Sequence, residues 1–126
     1  MSEQTLAQRR AADALKKIQA LEGKDYGKYV SYIKSLPATI LMNGLGQAAA
    51  TLLSAAKGEK KDPHRLLYDH LSSWLCRDAD DAPYPAGDLL ESITTNDEDH
   101  YLCAQAEALA YLDWLKKFAR ALLKEN

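Results

Sequence analysis

Apolar side chains recur every three or four residues along most of the chain, and that spacing predicts helices rather than strands. Over residues 3–21, Ala7, Ala11, Ala14, Leu15 and Ile18 fall on one side of a helix that Ser2 can cap. At 100° per residue, Arg9, Arg10, Asp13, Lys16 and Lys17 fall within an arc of about 120° opposite, so a basic stripe is expected to face outward. Gly23 closes this helix, and residues 25–34 read as a second, shorter one that Pro37 brings to a stop. A third helix is expected from a Ser35 cap to about Ala56, with Pro37 in its first turn and Ile40, Leu41, Leu45, Ala48, Ala49, Leu52 and Leu53 on its apolar side. Asn43, Gly44 and Gly46 interrupt it, each glycine costing roughly 1 kcal/mol against alanine, which implies a kink or a close neighbour.

Within that segment Thr39, Asn43, Gln47 and Thr51 recur at intervals of four and form a polar seam. Either it closes a helix crossing that Gly44 and Gly46 permit, or it is an exposed docking stripe. Asp62 followed by Pro63 starts a fourth helix that runs to about Cys76. Residues 78–87 read as an acidic loop and residues 88–94 as a short helix. The last helix opens on a capping box, Thr95 with Glu98, and can continue to Lys124, about 28 residues or roughly 42 Å. Its apolar side is Tyr101, Ala104, Ala108, Tyr111, Leu112, Leu115, Phe118 and Leu122; Lys116, Lys117, Arg120 and Lys124 lie opposite. The expected fold is all-α, a single domain over residues 1–126 built as a bundle of five or six helices with a long C-terminal helix.

Composition sharpens this picture. Leu and Ala contribute 20 residues each, Val and Ile together only 5, which nearly excludes a β-rich fold. No apolar run approaches the roughly 20 residues a bilayer requires, and the first ten residues lack the hydrophobic stretch of a secretory signal, so a cytoplasmic protein is expected. Cys76 and Cys103 form no CxxC pair and read as buried thiols. The net charge of −2 conceals segregation: residues 1–61 carry +5, residues 62–113 carry −10 and residues 114–126 carry +3.

Most chemistry finds no foothold. His64, His70, Cys76, His100 and Cys103 are potential metal ligands, but only His100 and Cys103 stand one helical turn apart, and no metal is expected. Asp78, Asp80 and Asp81, with Asp97, Glu98 and Asp99, lack a glycine-rich phosphate cradle and an EF-hand spacing; a metal-dependent RNase using them would lose activity when the loop acids become Asn. Ser72 and Ser73 near His70 have no GxSxG turn. Neither an enzyme, a cofactor nor a small-molecule substrate is expected. The basic helix faces remain, with Tyr26, Tyr29, Tyr32 and Tyr101 as stacking surfaces.

The run YVSYIKSLPATILMNGLGQA over residues 29–48 strongly resembles the signature of the small helical subunit of the type III-B CRISPR effector, the Cmr complex. A second run, AQAEALAYLDWLKKFA over residues 104–119, is similar to that family's final helix; the two cover 36 of 126 residues. The resemblance implies a non-catalytic, all-helical subunit, several copies of which stack beside backbone subunits along the groove that guide and target RNA traverse. It further implies that target cleavage belongs to the backbone subunit and that nuclease or nucleotide-cyclising activities belong to the large subunit. The acidic loop at Asp78, Asp80 and Asp81 is not a feature of the resemblance.

From charge geometry, the residues expected to contact nucleic acid are Lys34, Lys116, Lys117 and Arg120, followed by Arg9, Arg10, Lys16 and Lys17. Thr39, Asn43, Gly44, Gly46 and Gln47 are expected to serve structure or subunit contact. Expected partners are other Cmr subunits, further copies of this chain, CRISPR guide RNA and target RNA, with no membrane. The competing expectation is a helical protein-interaction adaptor with no nucleic-acid role, separable by the salt dependence of RNA binding.

Overall fold

A computed structural model describes residues 3–123, which form six helices and no strand among them. Helix α1 spans Leu6–Gln19 and is capped by Thr5, whose hydroxyl accepts from the Gln8 N–H while the Gln8 side chain accepts from Thr5 N–H. Ser2, the cap expected from sequence, lies outside the described residues. The buried side of α1 is rotated from the expected one: Ala14 and Ile18 are fully enclosed, Ala7 is exposed, and Arg10 and Lys17 turn inward.

Helix α2, Gly27–Asn43, continues past Pro37. Proline removes one N–H from a helix interior and costs about 3 kcal/mol there. Burial of Ile33, Leu36 and Ile40 on either side holds the helix together regardless. Ser35 therefore caps nothing; its hydroxyl donates to the Tyr32 carbonyl within the same helix. The chain breaks at Gly44 instead, at φ 90° and ψ 158°, a conformation essentially restricted to glycine. The expected third helix is thus the end of α2 plus α3, Leu45–Ala56. No side chain of α3's own cap satisfies its first N–H groups. Gln105 Oε1 accepts from Leu45 N–H at 2.9 Å and the Tyr101 hydroxyl accepts from Gly46 N–H at 3.0 Å.

Helix α4, Pro63–Leu75, starts as expected on Asp62, which accepts from His64 N–H. Asp88 caps the short α5, Leu89–Thr95, and Asp97 caps α6, Glu98–Leu122. Thr95 is the last residue of α5 rather than the cap of α6, its hydroxyl donating to the Glu91 carbonyl. The 25 residues of α6 make it about 37 Å long.

Arg10 meets Glu107 and Asp13 meets Tyr111, so α1 and α6 run side by side in the same direction. Helix α2 returns the other way, bringing Gly44 back to Tyr101 near the start of α6. One core joins the helices through Ile18, Tyr29, Ile33, Ile40, Leu45, Leu67, Leu71, Leu75, Leu112 and Leu115. The acidic loop is tied down as well. Tyr84 and Pro83 are buried, Tyr84 N–H donates to the Leu75 carbonyl, and Asp81 takes both Arg9 and Arg77. Cys76 is buried beside Ser92, whereas Cys103, expected to be buried, is exposed on α6. No helix among the described residues is long and apolar enough to cross a membrane.

Candidate nucleic-acid interface

The basic residues of α1 do not form an outward stripe. The Arg10 guanidinium grips Glu107 with two hydrogen bonds, 2.5 Å from Nε and 2.8 Å from Nη2, and the Trp74 indole donates to the same carboxylate at 2.8 Å. Burial pushes the Glu107 carboxyl up, but Arg10, Trp74 and Arg77 outweigh it and hold the group below its ordinary value. Lys17 is enclosed as well. Its ammonium donates to the Tyr111 hydroxyl at 2.8 Å, the His70 carbonyl at 3.1 Å and the Ser73 hydroxyl, and pairs with Asp13 at 2.7 Å. Burial pulls the Lys17 pKa down, with Asp13 opposing. Arg9 is occupied by Asp81 and the Gln4 carbonyl. Of the four, Lys16 alone is exposed without an ion pair among the described residues. The acceptors come from α4, α6 and the acidic loop, which wrap the side of α1 that sequence periodicity assigns to solvent.

Helix α6 keeps its expected basic face. Lys117 and Arg120 are exposed, Lys116 is half-buried, and Lys117 shares its charge with Asp113 at 3.0 Å, a surface pair of little strength. Lys34 is exposed on α2. Lys124 lies outside the described residues. The polar seam is divided by the break at Gly44, with Thr39 and Asn43 on α2 and Gln47 and Thr51 on α3. Thr39 and Thr51 return their hydroxyls to carbonyls of their own helices, and Asn43 and Gln47 face solvent. Gly44 and Gly46 make the close approach to α6 in its place.

Of the four tyrosines, Tyr29 is fully buried and Tyr101 is engaged at the α2–α3 break. Tyr32 remains half-exposed, stacked on His64 with ring centroids 3.8 Å apart and planes 17° from parallel. Lys24, Lys28, Lys57, Lys60 and Lys61, which sequence reasoning did not single out, lie toward the end of the bundle where α2 starts; hydrogen bonds from His64, with a smaller contribution from the charge of Lys28, hold the Asp62 pKa below its ordinary value. At the opposite end, residues 78–99 hold eight carboxylates and no Lys or Arg.

The profile of the family described as CRISPR-associated protein (Cas_Cmr5) matches residues 6–122. The chain belongs to the Cmr5 family. It is 31% identical over 108 residues to the CRISPR system Cmr subunit Cmr5 of Thermus thermophilus, with 85% of each chain covered. It also superimposes on the crystal structure of a CRISPR-associated Cmr5 family protein from the same organism with a TM-score of 0.76, at 28% identity, covering 96% of this chain and all of the other.

In this Cmr5-family chain two of the three histidines serve the helices that carry them. His64 and His100 each place Nδ1 on the Asp that caps their helix, Asp62 at 2.8 Å and Asp97 at 2.6 Å. His70 Nδ1 and the Tyr29 hydroxyl share a hydrogen bond at 2.5 Å. Burial, then the charge of Lys17, push the His70 pKa down to about 4, with Asp13 acting the other way. An unfolded histidine titrates near 6.5, so between about pH 6.5 and about pH 4 the unfolded chain takes up a proton that the folded chain refuses. Stability is therefore full above that window and falls as the pH drops through it, by up to about 3 kcal/mol. His70→Gln should flatten this part of the curve in urea unfolding followed from about pH 7 to about pH 4.5. The same slope in both proteins would contradict the assignment.

Proposed function

We propose that this chain is a non-catalytic small subunit of the type III-B CRISPR ribonucleoprotein, the Cmr complex, acting in antiviral defence in the cytoplasm. It stacks along the backbone and helps to hold guide and target RNA through its basic faces. The family gives the assembly, and the observation that carries the role is the separation of charge between the two ends of the bundle. Basic side chains on α6 and around the start of α2 offer contacts to phosphates that read shape and charge, not sequence. The acidic end offers a complementary surface to a basic neighbour in the stack. Within this reading Lys16, Lys34, Lys116, Lys117 and Arg120 face RNA, while Arg9, Arg10 and Lys17 hold α1 to α4, α6 and the acidic loop.

Reversing Lys116, Lys117 and Arg120 to Glu should weaken target binding by the assembled complex at least tenfold at low salt. The slope of log affinity against log salt should fall by about two to three, with helix content unchanged. Unchanged affinity at low salt would refute RNA contact by this face. A helical adaptor with no nucleic-acid role is the second reading, favoured by Leu41, Met42 and Leu102, which are 70%, 82% and 56% exposed. Tagged purification from the native host separates the two. Backbone subunits with short guide RNA support the subunit, and an unrelated protein without RNA supports the adaptor.

A further inference from the structure

The ring pair of Tyr32 on α2 and His64 on α4 stands among lysines that sequence reasoning did not single out. His64 is fixed from two directions, since Asp62 Oδ1 accepts from its backbone N–H and contacts its Nδ1, each at 2.8 Å. The His64 side chain keeps 24% of its surface in solvent, and Tyr32, packed on the edge of the core, is also partly open. Lys28 lies one turn before Tyr32 on α2, near Asp62. Lys57, Lys60 and Lys61 are exposed in the loop that leads into Asp62 and make no ion pair among the described residues. The acids nearby in sequence are Asp25, Glu59 and Asp62, and Asp62 is already committed to His64.

We propose that the Tyr32–His64 pair, with Lys28, Lys60 and Lys61 around it, binds an unpaired RNA base and its flanking phosphates. The site rests on the RNA-holding role proposed above and gives it a preference that lysines alone do not supply. A row of lysines holds a duplex and a single strand alike through phosphate charge. A ring pair adds stacking, which only an unpaired base can use, because bases in an A-form duplex are already stacked on one another. Prefixed ring orientation lowers the ordering needed when the base arrives.

The test is fluorescence anisotropy of the full chain with a labelled oligouridylate of about 12 nucleotides, alone and annealed to oligoadenylate. At low salt the single strand should bind more tightly than the duplex. Tyr32→Leu should weaken the single strand about 5- to 50-fold and leave the duplex unchanged, while Tyr32→Phe, which keeps the ring, should bind as the parent does. Lys60→Glu with Lys61→Glu, both on the surface, should weaken both RNAs and lower the salt slope by about one to two. The site is overturned by equal binding of single strand and duplex, by no binding of either, by folded Tyr32→Leu that binds unchanged, or by lysine reversals without effect. If any of these occurs while reversal of Lys116, Lys117 and Arg120 still weakens the assembled complex, the site fails and the wider role stands. A complex recovered without RNA overturns both.

Discussion

Glu107→Ala should destabilise the chain by about 3 kcal/mol and lower its melting temperature by about 10 °C. Glu107 and Arg10 are only 10% and 16% exposed along their side chains, so the alanine leaves a guanidinium in a site poor in water. The same change strands the Trp74 indole N–H, whose acceptor is the Glu107 carboxylate. Glu107→Gln, which keeps an acceptor but not the charge, should fall between the parent and the alanine variant. Urea unfolding monitored by circular dichroism gives the values directly. A loss below about 1 kcal/mol would mean that the pair behaves as an exposed surface bridge.

Gly44→Ala should be nearly as damaging, at about 3 kcal/mol, for two separable reasons. Its backbone conformation is one that side chains with a Cβ scarcely adopt, and a Cβ built there would stand 2.8 Å from the Tyr101 hydroxyl. Tyr101→Phe removes that oxygen, so in the Gly44→Ala background it should restore part of the loss although it is mildly destabilising on its own. A double-mutant cycle reads the difference as a coupling energy. Strict additivity of the two changes would show that the new methyl group avoids the hydroxyl by moving the backbone.

Much of the helix map was legible because its punctuation is local. Asp62 before Pro63 caps the helix that follows it, and the polar end of that signal lies within three residues of the amide it serves. Pro37 misled because its penalty is local while its remedy, the burial of Ile33, Leu36 and Ile40, is tertiary. Gly44 carried the real boundary, and the sequence marked it only as a weak point in a helix. The α1 stripe failed for a related reason. A long cation can pack its stem against a core and still find acceptors, so periodicity alone could not tell whether Arg10 and Lys17 faced water or Glu107 and Tyr111. The α6 face was legible in so far as Lys117 and Arg120 stay exposed on it. His64 stood apart from Tyr32 by 32 positions, and only the crossing of α4 over α2 brings the rings together.

The unlike ends of the bundle have a geometric consequence for any assembly built from them. Residues 78–99 bring eight carboxylates toward the end where α6 begins, and Lys116 and Lys117 stand about 27 Å away along that helix. Copies joined acid to base present, after every addition, the same two ends as the first copy did, and such a head-to-tail contact never closes on itself unless its rotation makes a ring. A row of this kind has a direction and no internal count. Its length would be set by a ruler outside the chain, such as an RNA of fixed size, and its two termini would need two different caps.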